Sequence, residues 1–126
     1  MSFQIRFDPN SRIVRATFFD EVYLADKIAS ARQIAEKFGH LHPLLLMVDV
    51  RRADIRLTIE ERQEFGTYTA QLEGLKHART AVLHATDRNA NVVIDRWAQS
   101  HGLQLAEFIT EAAAVEWLLS AEAVTQ

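Results

Sequence analysis

The segment Leu44-Leu-Leu-Met-Val-Asp-Val50, entered through Pro43, constrains this chain more than any other. It is a continuous apolar run with one polar residue and no alternation, the pattern of a strand covered on both faces. It is far too short to cross a bilayer, which takes about 20 apolar residues. A strand covered on both faces requires a sheet with a layer on each side. Parallel neighbours in such a sheet are joined through helical crossovers, so strands and helices are expected to alternate after it.

The flanking sequence fits that frame. Phe3, Ile5 and Phe7 alternate with polar residues, Asp8-Pro-Asn-Ser is turn chemistry, and Ile13 to Phe19 is β-branched and aromatic, which predicts an opening antiparallel hairpin. Leu24, Ile28, Ala31, Ala35 and Phe38 recur at helical spacing up to Gly39. Thr58-Ile-Glu-Glu61 is a capping box opening a second helix with Phe65, Tyr68, Leu72 and Leu75 on its apolar stripe. Gly66 inside that helix costs roughly 1 kcal/mol relative to Ala, so a close packing contact is expected there. Thr80–Ala85 is a fourth strand. Val93, Ile94, Trp97, Ala98 and His101 line a third helix that Gly102 ends. Leu103–Ile109 is a fifth strand, and Thr110 caps a last helix containing Ala114, Trp117 and Leu118. The predicted order is ββαβαβαβα in an α/β fold, with an antiparallel opening hairpin and mostly parallel strands after it.

A length of 126 residues fits a single domain, 1–126, and the 48% hydrophobic and 25% charged fractions are those of a globular chain. Absence of cysteine excludes disulfides, zinc–thiolate sites and a thiol nucleophile. A net charge of −3 gives no general attraction to nucleic acid or to an anionic membrane. Every Lys and Arg lies at or before Arg96, while Glu107, Glu111, Glu116 and Glu122 follow, so the last helix is expected to carry an acidic face. The N-terminal residues lack the apolar core of a signal peptide, and a cytoplasmic protein without membrane insertion is expected.

Arg79-Thr-Ala-Val-Leu as a strand, Trp97 in the helix after it, and the closing Phe108-x-Thr110-x-x-x-Ala114-x-x-Trp117-Leu118 resemble the SpoIIAA-like proteins of the STAS and CRAL-TRIO (SEC14) superfamily. Val48-Asp-Val-Arg at the end of the buried strand suits the same group. The resemblance implies a STAS-like five-stranded mixed sheet. In the anti-sigma-factor antagonists of that group, a phosphorylated serine after the third strand gates partner binding. Counting from Asp49, the position falls near Thr58, which makes Thr58 a phospho-switch candidate. Leu57 stands where the pattern has an acid, and Ile59-Glu60 where it has a small residue and glycine. The SEC14 side of the resemblance implies a pocket for a greasy ligand, for which Phe65, Tyr68, Trp97 and Trp117 are the aromatic candidates; at helical spacing they equally read as core.

The common catalytic patterns are missing: no glycine-rich phosphate loop, no Gly-x-Ser-x-Gly, no His-Glu-x-x-His. His40 and His42 flank Leu41 but have no third ligand nearby in sequence, so neither metal nor cofactor is expected. His77 reads as exposed, and His84 and His101 as residues at the rim of the core. In open α/β sheets ligands gather beyond the carboxyl ends of the strands, where helix N-termini offer N–H groups. That edge is expected to collect Arg51 and Arg52 after the third strand, Thr58 at the second helix, and Thr86, Asp87, Arg88, Asn89 and Asn91 before the third, a candidate anion site. The same residues serve as ordinary caps and ion-pair partners. The expected function is a non-catalytic regulatory or scaffolding module that binds a protein partner or a second copy of itself. The alternative is a carrier or sensor of a small lipid-like or anionic ligand. The expected interior is filled by its own side chains, with no converging ionisable groups.

Overall fold

The computed structural model describes residues 2–124. Strands β1 (Phe3–Phe7) and β2 (Ile13–Val22) form the antiparallel hairpin, with Phe3 opposite Phe18 and Phe7 opposite Val14. Its turn is held by Asp8, whose carboxylate accepts from the Asn10 N–H and the Ser11 hydroxyl, each at 2.9 Å. Then follow α1 (Leu24–Phe38), β3 (Leu45–Ile55), α2 (Ile59–Gln71), β4 (Arg79–Leu83), α3 (Val92–Ser100), β5 (Gln104–Phe108) and α4 (Glu111–Val124). The predicted element order is the observed one.

The sheet order is β1-β2-β3-β4-β5, with every pair after the first parallel. Each crossover therefore moves one strand in the same direction. Connections of one hand that always step the same way deposit their helices on the same side. The core shows this: Ala31 and Ile34 of α1, Phe65 of α2 and Ile94 of α3 all pack on the face formed by Val14, Leu46, Val50 and Val82. Among the described residues the reverse face is covered by α4, through Ala114 and Leu118 on Ile13, Leu45, Met47, Ala81 and Leu83. The Arg79 guanidinium lies 3.7 Å from the centre of the Trp117 ring and donates to the Trp117 carbonyl, tying β4 to α4. No helix among the described residues is long and apolar enough to cross a membrane. Of the expected acidic face of α4, the side chain of Glu122 lies outside the described residues.

Strand β3 runs to Ile55, beyond the expected end at Val50. Leu46, Val48 and Val50 face the helices α1–α3, and so do Ala53 and Ile55, which have the opposite parity. Pairing steps from Thr17–Asp49 to Phe19–Arg52, one extra residue on β3, so a bulge absorbs the change. Arg51 and Arg52 thus sit inside the strand, at the bulge, and not in a loop after it. Beyond Asp49 the strand has lost its β4 neighbour. Two arginines take the freed carbonyls: Arg88 donates to the Ala53 oxygen at 3.1 Å and Arg62 to the Ile55 oxygen at 3.0 Å.

The capping box at α2 is formed as predicted. Thr58 Oγ1 accepts from the Glu61 N–H at 3.0 Å, and Glu61 Oε1 accepts from the Thr58 N–H at 2.9 Å. Thr58→Ala is expected to cost about 1 kcal/mol, read as a lower urea midpoint at unchanged slope. A midpoint equal to wild type removes the cap from the stabilising interactions.

Candidate functional site

The face that α1 turns to the sheet is not apolar throughout. Its buried residues are Lys27, Ser30, Ala31 and Ile34, with Leu24, Ile28, Ala35 and Phe38 partly buried at the flanks. Lys27 therefore stands at the centre of the stripe and is 1% exposed. Two residues from the start of α3 meet it. Asn91 Oδ1 accepts from Lys27 Nζ at 2.8 Å, and Asn91 Nδ2 donates to Asp95 Oδ1 at 2.6 Å. Asn91 and Asp95 are one helical turn apart and lie with Ala98 along the buried face of α3, so the fold brings the three polar groups together.

These groups line one part of a cavity of about 50 Å³ between the sheet and α1–α3. The rest of its wall is mainly apolar, with Phe18, Ile34, Leu46, Phe65, Val82 and Leu105 among its members. The Lys27 ammonium lies 4.1 Å from the Phe18 ring centre and 5.8 Å from that of Phe65, both favourable cation–π distances. The expectation of an interior filled by its own side chains, without converging ionisable groups, is corrected here. An amine, an amide and a carboxyl group converge on one buried space.

Burial sets the protonation of both charged groups. It lowers the Lys27 pKa to about 8, a shift that Asp95 opposes when it is ionised and that Arg62 reinforces. Asp95, fully buried, has its carboxyl pKa pushed well above the ordinary value, first by burial and then by the neighbouring Glu107 carboxyl. Asp95 Oδ2 has no hydrogen-bond partner so long as both carboxyls are counted only as acceptors. A proton on Asp95, donated to Glu107, satisfies it and agrees with the raised pKa. Glu107 is itself held from β5: Asn89 Nδ2 donates to its Oε2 at 2.6 Å, and Arg96 Nη2 lies 3.5 Å from its Oε1.

The residues expected to form an anion site are divided by the sheet. Arg51 lies on the reverse face, bonded to Asp49 through two guanidinium nitrogens at 3.1 and 2.8 Å, with Glu111 of α4 at 3.9 Å. Burial would raise the Asp49 pKa, but Arg51 outweighs it and holds the carboxyl below its ordinary value. Arg52 is exposed at the bulge, Thr58 caps α2, and Thr86 and Asp87 occupy an exposed turn. Arg88 is bound to the Ala53 carbonyl, and Asn89 accepts from the Asn91 N–H at 2.9 Å. Only Asn89 and Asn91 of this set join the Lys27 network.

The histidines are also placed. His42 stacks on His77, not on His40, with ring centres 4.2 Å apart, while His77 Nε2 is 2.9 Å from the Leu41 oxygen. His84 Nδ1 is 2.8 Å from the Ala85 oxygen just beyond β4. His101 is exposed at the C-cap of α3, outside the rim of the core, because its face turns out past Trp97. No group of three or more His, Asp or Glu among the described residues is placed to hold a metal ion.

Of the aromatic candidates, only Phe65 lines the cavity; Trp97 is 38% exposed and Trp117 lies on the α4 side. Lys27 and Asp95 are not among the candidate site residues that the sequence suggests. The signal was available, since each is a charged residue standing inside an apolar helical stripe.

No protein-family model and no curated protein matches the chain. Its backbone is similar to the crystal structure of an uncharacterised DUF3478-family protein from Shewanella loihica PV-4, which has a SpoIIAA-like fold. The TM-score is 0.60 at 11% sequence identity, over 92% of this chain and 91% of that one. Identity this low speaks for architecture alone. With the five-stranded mixed sheet, the single antiparallel pair and the four helices, it shows that this chain has the SpoIIAA-like fold.

Proposed function

We propose that this chain is a non-catalytic carrier or sensor of a small amphiphilic ligand held between the sheet and α1–α3. The observation that carries the reading is Lys27, an amine buried in an apolar cavity. Burying an ammonium costs several kcal/mol after relaxation, and an apolar side chain of similar volume would pack there without that cost. A fold that keeps the amine at this position has a use for it. The remaining walls are apolar enough to hold hydrocarbon, and the polar groups are few and convergent, as in small-molecule sites generally.

The test is native mass spectrometry of freshly purified protein, followed by thermal unfolding with and without the extracted small molecules. A bound organic mass and a raised Tm are expected. At a free ligand concentration 100 times Kd the gain is about 2.7 kcal/mol. Protein of bare chain mass, with a Tm unmoved by the extract, overturns the reading.

A second reading, a module that binds a protein partner, is favoured by a different observation. Tyr23 and Ile59 are 50% and 57% exposed at the starts of α1 and α2. They follow the paired strand ends Val22 and Ile55, at the carboxyl end of the sheet. Tyr23→Asp with Ile59→Asp is expected to abolish capture of a specific partner while leaving the unfolding curve near wild type. Undiminished capture by this variant counts against this end of the sheet as the interface.

A further inference from the structure

The polar groups around the cavity are unequally used. Lys27 has three N–H donors, and Asn91 Oδ1 takes one of them. No other acceptor among the described residues engages the amine, which otherwise faces the rings of Phe18 and Phe65. The acceptors are committed. Asn91 Oδ1 serves Lys27, Asp95 Oδ1 takes the Asn91 amide, Glu107 Oε2 takes the Asn89 amide, and Glu107 Oε1 faces Arg96. The one carboxyl oxygen that remains, Asp95 Oδ2, is used by the proton it donates to Glu107. What the cavity has in surplus is therefore N–H donors carrying positive charge, and the Arg62 guanidinium, bonded to the Leu57 and Ile55 carbonyls, adds to that potential.

A ligand that meets this surplus must bring acceptors without donors, and a negative charge. Two oxygens on one carbon match an ammonium with two N–H groups to give, and charge-assisted hydrogen bonds of this kind are about twice as strong as neutral ones. Resting on the reading that the cavity holds a small ligand, we infer that this ligand is a compact apolar monocarboxylate, its carboxylate on Lys27 and its hydrocarbon part among Phe18, Ile34, Leu46 and Phe65. An alkylamine is excluded by like charge and by the lack of a spare acceptor. An alcohol fills the same space but leaves the ammonium uncompensated. A cavity of about 50 Å³ favours a short or branched chain over a long one.

The pH dependence follows from the same groups. Around Lys27 the charged or titratable neighbours are Asp95 and Arg62, and around Asp95 they are Lys27 and Glu107. Carboxylate binding needs the protonated amine. The lowered Lys27 pKa makes affinity fall through the mildly alkaline range, while the bound anion itself raises that pKa and moves the fall upward.

The experiment is isothermal calorimetry on the full chain with propanoate, butanoate, 1-butanol and butylamine at pH 6.5 and 9.5, for wild type and Lys27→Met. Butanoate is expected to bind wild type at pH 6.5 at least ten-fold more tightly than 1-butanol, with no binding of butylamine. At pH 9.5 the advantage over 1-butanol is expected to shrink, and in Lys27→Met to vanish while 1-butanol still binds. If that variant does not fold, Lys27→Gln and the wild-type ranking decide. Equal binding of butanoate and 1-butanol by wild type overturns the head-group assignment and leaves the cavity reading standing. No binding of any probe to wild type overturns both.

Discussion

Between pH 7 and pH 10, the wild-type protein is expected to gain about 2–3 kcal/mol of stability relative to its Lys27→Met variant. In the folded chain burial lowers the Lys27 pKa from 10.5 to about 8. The unfolded chain therefore binds more protons across the interval between those values, and folding becomes more favourable as pH rises through it. Below pH 8 the amine is charged in both states, its burial penalty is fully present, and this contribution is flat. Asp95 has the opposite sign: with its folded pKa raised, its contribution is complete below the unfolded value of 3.8 and is lost as pH rises through the folded one. Lys27→Met retains Asp95 but removes the charge that faces it, so the difference between the two proteins reports the lysine together with its coupling to Asp95. Urea midpoints and slopes at both pH values supply the measurement. Parallel pH profiles for the two proteins would mean that the amine is solvated, and the site with it.

Gly66→Ala is expected to destabilise the fold by about 2–3 kcal/mol, lowering Tm by about 10 °C. A Cβ at this position of α2 would sit 2.7 Å from the Ile94 oxygen, 2.9 Å from Trp97 Cβ and 3.0 Å from the Ala98 nitrogen of α3. Two of the three atoms are backbone, so relief requires moving a whole helix. Helix propensity acts the other way, by about 1 kcal/mol in favour of alanine, and is outweighed. The shift of α3 would carry Asn91 and Asp95 with it, so the variant is also expected to bind cavity ligands more weakly. Unchanged stability would show that α2 and α3 slide apart cheaply.

The architecture was legible because its signals are local and repeated. The continuous run at Leu44–Val50, the box at Thr58–Glu61 and the period change after Phe19 each depend on near neighbours. Gly66 announced the α2–α3 contact in the same way. The extension of β3 was not legible, because Asp49-Val-Arg-Arg looks like a strand ending and the bulge that continues it depends on pairing with β2. The site was legible only in part. Asn91 reads in sequence as a loop residue, yet it is buried because α3 begins against Lys27, a residue 64 positions away. Arg51 and Arg88 read as candidate anion ligands or as ion-pair partners alike; the fold decides for engagement, Arg51 with the neighbouring Asp49 carboxylate and Arg88 with the Ala53 carbonyl that β3 leaves unpaired beyond β4.

One consequence follows from the one-sided arrangement of the helices. A nascent chain that has emerged only as far as Thr110 already contains every strand and the three helices of the front layer. It still presents Ile13, Leu45, Met47, Ala81 and Leu83 bare on the other side until residues 111–124 arrive to cover them. This face of the sheet is thus closed last, and released chains truncated after Thr110 are expected to be held by chaperones that let go of the 126-residue chain.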